Sequence, residues 1–196
     1  MTDSGPGKKG CSPVWGCVLI GGSSTRMGRP KHLIEQNGST WLEKAVSKLK
    51  NKVEKIVISG KGDIPATLKN IPVIQDDPGL LGPLAGILSV MRWNPDVSWV
   101  VSGCDQPEIS EEAIDWLLTL RNKDIRAILP DLKGDGYVEP LLAYYDFRCK
   151  GYLEEIAAKK SFRISEMIGR YGVITPTPPL HLHSSWRNVN TPEEMG

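Results

Sequence analysis

Apolar residues fall in two rhythms along this chain, and the alternation between them predicts its architecture. Residues 14–20 (VWGCVLI) form an unbroken apolar run ended by Gly21 and Gly22, the pattern of a strand buried on both faces. Comparable runs lie at 55–59 (KIVIS), 71–75 (IPVIQ) and 99–104 (WVVSGC). Between and after them the spacing turns helical. Thr40 precedes Trp41, Leu42, Ala45, Val46 and Leu49, and Glu43 stands three residues on as the second half of a capping box. Residues 84–93 and 110–121 repeat the helical period, the second opening on Ser110 as N-cap with Glu111 and Glu112 in its first turn. Strand alternating with helix predicts an α/β fold built on a mostly parallel sheet.

The second half of the chain changes character. Residues 126–130 and 140–145 read as strands flanking a Gly-Asp-Gly turn at 134–136, followed by helical spacing at 152–160 and around 163–170. Pro176, Pro178 and Pro179 then interrupt the chain before 182–186. Residues 1–13, rich in Gly, Ser and Lys, read as a flexible tail, and 14–196 as one domain whose first half, 14–107, binds a nucleotide while 108–196 completes the cleft.

Composition narrows the function. At 196 residues, 40% hydrophobic and 24% charged, the chain suits a folded core and excludes wholesale disorder. Its formal net charge of +1 supplies no global field for a nucleic-acid backbone, so any anion is held locally. No apolar run approaches the roughly 20 residues that span a bilayer, and residues 1–13 lack the pattern of a leader, so the expectation is a cytoplasmic protein with no membrane partner. The four cysteines, Cys11, Cys17, Cys104 and Cys149, form no C-x-x-C pair and read as reduced thiols.

The chemistry is expected where the first strand ends. Leu19-Ile20-Gly21-Gly22 runs on to Arg26, Met27, Gly28, Arg29, Pro30 and Lys31. Glycines there let backbone N–H groups approach phosphate oxygens, and Arg26 and Lys31 add positive charge; the alternative is a surface turn with solvated side chains. The spacing fits neither a Walker A loop nor G-x-G-x-x-G. In a sheet of order 3-2-1-4, ligands sit beyond the carboxyl ends of strands one and four, so the end of strand four, Cys104-Asp105-Gln106-Pro107, should face the glycine loop. Asp105 is therefore the candidate Mg²⁺ ligand, with turn capping as its alternative. Asp76, after strand three, could accept hydrogen bonds from a guanine edge or close an Asx-turn.

Four segments in order, at 19–31, 73–86 (V-I-Q-D…G-P-L-A-G), 104–107 (C-D-Q-P) and 188–194 (N-V-N-T-P-E-E), resemble the molybdenum cofactor guanylyltransferase family of MobA-like nucleotidyltransferases. The resemblance implies a three-layer, Rossmann-like α/β fold with helices on both faces of the sheet. It also implies transfer of GMP from GTP to molybdenum-bearing molybdopterin, with release of pyrophosphate and Mg²⁺ as cofactor. By position, the backbone of Leu19, Ile20, Gly21 and Gly22 together with Lys31 would hold the nucleotide. Asp76 would lie near the guanosine, Asp105 would bind the metal, and residues 108–196 would form the acceptor-substrate half. Asn188 and Asn190 match the family's paired asparagines near the pterin, or cap a short helix at 191–195. Transient contact with enzymes that supply or receive the cofactor is also implied.

Three positions depart from the family pattern. Ile20 replaces a small Ala, Ser59-Gly60 stands where relatives often place an Asn, and the last helix is short. Both reacting groups being phosphates, the attacking oxygen is already anionic and no nucleophilic side chain is required. Arg26 is assigned to the β- and γ-phosphates and Lys31 to the α-phosphate, assignments that can be exchanged. This chemistry asks nothing of the three histidines, and His32, His181 and His183 are expected at the surface or the substrate rim. Rival readings are a cytidylyltransferase, another NTP-dependent nucleotidyltransferase, and a non-catalytic cofactor carrier.

Overall fold

The computed structural model describes residues 12–21 and 30–189. Gly22, Arg26, Asn190 and the helix expected at 191–195 lie outside the described residues. Strands β1 (Val14–Leu19), β4 (Lys55–Ser59), β5 (Val73–Ile74) and β6 (Ser98–Gly103) are parallel and ordered β5-β4-β1-β6, the 3-2-1-4 arrangement read from the sequence. The sheet continues through β8 (Ala143–Tyr145), β7 (Ala127–Ile128) and β9 (Val173–Ile174) to seven strands. β8 is antiparallel to both β6 and β7, while β7 and β9 are parallel.

Side chains alternate between the faces of this sheet as the two-residue period of a strand requires. Cys17, Val57, Val101, Ala127 and Tyr145 pack with α2 (Pro83–Trp93) and α4 (Lys150–Ala158) on one side. Val18, Ile58, Val100, Ile128 and Tyr144 pack with α1 (Trp41–Lys50), α3 (Glu111–Thr119) and the 3₁₀ turn Leu180–Trp186 on the other. The result is three layers with a core on each side of the sheet. The capping box closes on α1 as expected: Thr40 N–H donates to Glu43 Oε2 at 2.7 Å and Glu43 N–H donates to Thr40 Oγ1 at 3.2 Å. Ser110 caps α3 by accepting from Ala113 N–H at 3.1 Å.

Several sequence expectations need correction. The third strand is only Val73–Ile74, because Pro72 precedes it and the chain turns away to a loop after two paired residues. The segment around 163–170 is a 3₁₀ turn over Ile164–Met167, ended by Gly169 at φ +81°. The hairpin of β2 (Glu35–Gln36) and β3 (Ser39–Thr40), with Asn37 and Gly38 both at positive φ, and the strand β9 leave no strand signature in the sequence, since two residues are too few to show a period. His32 is not at the surface: it is buried at 3% exposure, its Nε2 lying 3.0 Å from the carbonyl of Asp63.

Candidate active site

The four parallel strands finish level with one another. Leu19 is in register with Ser59 on one side and Gly103 on the other, and Ser59 with Ile74. Gly21, Asp76 and Asp105 each follow two residues after one of these positions, so all three spring from a common edge. About 14 Å, three strand spacings, separates the β5 and β6 ends. The strand ends are tied together by Ile20 N–H to Ser59 O at 2.8 Å, Gly60 N–H to Ile74 O at 2.9 Å and Cys104 N–H to Leu19 O at 3.1 Å. Gly60 sits at φ +125°, and a Cβ there would stand 2.0 Å from the Ile20 carbonyl oxygen, so only glycine allows this approach.

Lys31, on the 3₁₀ turn Lys31–Leu33 that follows the glycine-rich segment, donates from Nζ to Asp105 Oδ2 at 3.2 Å. Both side chains are partly exposed, at 15% and 25%. Asp105 folds back over the strand end because Gly103 lacks a side chain; a Cβ there would lie 2.6 Å from Asp105 Oδ1. Gln106, 1% exposed, fixes the turn: its Oε1 accepts from Gly103 N–H at 3.0 Å, a donor beyond the reach of β8, which pairs only with residues 99–101. Asn188 is exposed and adjoins Val189, whose N–H donates to the Asp105 carbonyl at 2.9 Å, so the C-terminal segment reaches the same edge.

Asp76 accepts a hydrogen bond from the buried Ser59 hydroxyl at 2.8 Å. Burial pushes its carboxyl above the usual range, and the Ser59 bond opposes that shift. The Asx-turn belongs to the neighbouring Asp77, whose Oδ1 accepts from Gly79 N–H at 2.8 Å. Asp77 is also anchored by Arg92 at 2.6 Å and by Ser89, whose Oγ accepts its N–H at 2.9 Å. The loop is thus pinned to α2 while Asp76 stays available. Ser59 entered the sequence reading only as a departure from a family Asn and Gln106 only as part of C-D-Q-P; their contacts, and Arg92, were missed, although a lone polar residue closing the apolar run KIVIS was a signal for Ser59.

The geometry brings Leu19, Ile20, Gly21, Lys31, Asp76, Asp105 and Asn188 to one edge, while Gly22, Arg26 and Asn190 lie outside the described residues. No group of three His, Cys, Asp or Glu side chains able to hold a metal occurs among the described residues. Cys104, beside Asp105, has its thiol pushed up to about 12, first by burial and then by the Asp105 charge, so it stays protonated and is no nucleophile. His181 pairs with Glu112 at 3.0 Å and His183 lies 2.9 Å from the Pro178 carbonyl, both away from Lys31 and Asp105 in the bonds they make. Among the described residues no helix is long and apolar enough to cross a membrane.

An open α/β sheet with level strand ends, a glycine just past the end of β1 and an opposed Lys and Asp is the frame of a nucleotidyltransferase. The chain belongs to the family described as the MobA-like NTP transferase domain, whose pattern matches residues 16–171. It is 32% identical over 188 residues to a probable molybdenum cofactor guanylyltransferase of Bacillus cereus strain B4264, an alignment covering 92% of this chain and 93% of that protein. The molybdopterin-guanine dinucleotide biosynthesis protein A of Archaeoglobus fulgidus has a similar structure, with a TM-score of 0.75 at 25% identity over 92% of this chain and 94% of that one. Rv0371c of Mycobacterium tuberculosis, solved in complex with manganese, shares the fold at a TM-score of 0.59 and 17% identity, over 84% of this chain and 87% of that one.

Proposed function

We propose that this protein transfers GMP from GTP to the terminal phosphate of molybdenum-bearing molybdopterin. The observation that carries the reading is the Lys31–Asp105 contact: across 74 positions of sequence it joins the segment after the glycine turn to the tip of β6. The names borne by its relatives support guanine as the base and the molybdenum cofactor as the acceptor.

A phosphate oxygen of the acceptor forms a bond to the α-phosphorus of GTP as the bond from that phosphorus to the β-phosphate bridge breaks, and pyrophosphate leaves. The backbone of Leu19, Ile20, Gly21 and Gly22 holds the triphosphate, Asp76 accepts from the N1–H and amino group of guanine, and Lys31 and Arg26 offset the developing charge. Asn188 and Asn190 would bind the pterin side of the acceptor. Asp105 suits a hard divalent ion such as Mg²⁺: a single carboxylate, with no cluster of further acidic ligands among the described residues, matches a metal that takes phosphate oxygens and water as its other ligands. When bound, that ion neutralises phosphate charge and assists the departing pyrophosphate. Lys31 and Asp105 offset each other's charge; incoming phosphates would attract Lys31, which would leave the Asp105 carboxylate for a cation. The reduced, buried Cys17, Cys104 and Cys149 suit a cytoplasmic setting, where enzymes that supply or receive the cofactor would make transient contact.

Pyrophosphate release from GTP and from CTP, each with molybdopterin and Mg²⁺, tests the proposal. Turnover with GTP exceeding that with CTP, and lost on chelation of the metal, is expected; preference for CTP would overturn the guanylyl reading.

A further inference from the structure

Glu139 lies in the segment that enters β8, half-buried, and its side chain has no hydrogen-bond or ion-pair partner among the described residues. A carboxylate held half out of water with no protein donor gains from a ligand that supplies one. Its backbone is firmly set. Glu139 N–H donates to the Pro130 carbonyl at 2.7 Å, and Asp131 and Val138 pair as an isolated bridge. The Asp131 carboxylate gathers the N–H groups of Lys133, Gly134, Asp135 and Gly136, which orders the intervening turn.

The location is specific. Because β8 runs antiparallel to β6, the residues leading into it lie at the same edge as the end of β6. Leu141, two residues beyond Glu139, places its Cδ1 3.1 Å from where a Gly103 Cβ would stand, the point Asp105 approaches from the other side. The backbone of Glu139 therefore lies beyond the same strand edge, on the other side of β6 from β5, with four strand spacings, about 19 Å, between the end of β5 and the start of β8. Asp76, after β5, and Glu139, before β8, thus lie on opposite flanks of the β1 and β6 strand ends.

We propose that Glu139 is a binding residue for the acceptor, its carboxylate accepting two N–H donors from the 2-amino-4-oxopyrimidine edge of a pterin. A phosphate is excluded by charge. A neutral edge with two adjacent donors satisfies both carboxylate oxygens. Burial also pushes the Glu139 carboxyl above the usual range, in keeping with a site that offers it no donor among the described residues. The assignment rests on the proposed function for the identity of the acceptor as a pterin.

The test compares binding of a simple pterin with that of its lumazine counterpart, in which oxygen replaces the 2-amino group, by fluorescence titration of the full chain. The wild-type protein should prefer the pterin by about tenfold or more, as expected when a polar site loses a donor it was built to receive. Glu139→Gln should erase that preference and raise KM for molybdopterin on the order of tenfold, leaving KM for GTP and the melting temperature unchanged. A preference that survives in Glu139→Gln, or none in the wild type, overturns the assignment even if GMP transfer is normal. Conversely, failure of GTP as donor alongside a Glu139-dependent pterin preference sinks the guanylyl reading and leaves this one standing.

Discussion

Lys31 and Asp105 are 74 positions apart in sequence and 3.2 Å apart in space, and both remain partly open to solvent. A pair so exposed contributes at most about 1 kcal/mol to folding, so removing either group should leave the protein folded. Its effect on catalysis should be larger. Lys31→Ala is expected to reduce kcat/KM with GTP by roughly 3 kcal/mol of transition-state stabilisation, the size associated with one preorganised electrostatic contact. Asp105→Asn should abolish Mg²⁺-dependent product at an unchanged melting temperature. Steady-state kinetics paired with thermal melts would check both, and wild-type turnover in either variant would remove that residue from the site. Asp105 was legible because C-D-Q-P ends an apolar run, which fixes where a carboxylate must emerge. Ser59, Gln106 and Glu139 were not, since their significance lies in what stands beside them: Asp76, the Gly103 N–H and, for Glu139, nothing at all among the described residues.

At the level of elements, β1, β4 and β6 were readable as strands because burial on both faces gives each an unbroken apolar centre. Helices α1 and α3 announced themselves through their caps, and both caps are formed. β5 and β7, two residues each, are the cores of the longer runs read at 71–75 and 126–130, whereas β9, two residues paired with the equally short β7, is a piece no local period can reveal. The levelling of the strand ends was equally hidden, because register depends on pairing and not on composition. It depends on Gly60. Gly60→Ala meets both a φ of +125° and a Cβ 2.0 Å from the Ile20 carbonyl oxygen, so the ends of β1 and β4 must part. A loss of about 3 kcal/mol or more is expected in urea denaturation, accompanied by weaker nucleotide binding. An unchanged midpoint would show that this edge tolerates movement.

Across the whole molecule, stability and chemistry occupy opposite ends of the sheet. Asp146, 2% exposed, accepts from Ser98 Oγ and Tyr144 Oη, each at 3.1 Å, and from Arg148 Nε at 2.5 Å, tying the exit of β8 to the start of β6. Burial works to raise its carboxyl, but the Arg148 side chain and N–H, with the Tyr144 hydroxyl, hold it below the usual range. A carboxyl that ionises more readily folded than unfolded stabilises the native state above its unfolded value near pH 4. That contribution is lost as pH falls through the lower folded value. Asp146→Asn should therefore flatten the decline in urea midpoint between about pH 5 and pH 2, while lowering the midpoint at neutral pH. An identical slope in wild type and variant would show that acid sensitivity originates elsewhere.

Among the described strands of the main sheet, β8 is the one that runs against the rest, so its leading residues and not its trailing ones meet the reactive edge. Lengthening or retyping the hairpin that feeds it would recut the mouth for the second substrate, while the grip on the nucleoside triphosphate, rooted in other strands, stayed as it was. New acceptors are then within reach of a lineage that remodels a single turn.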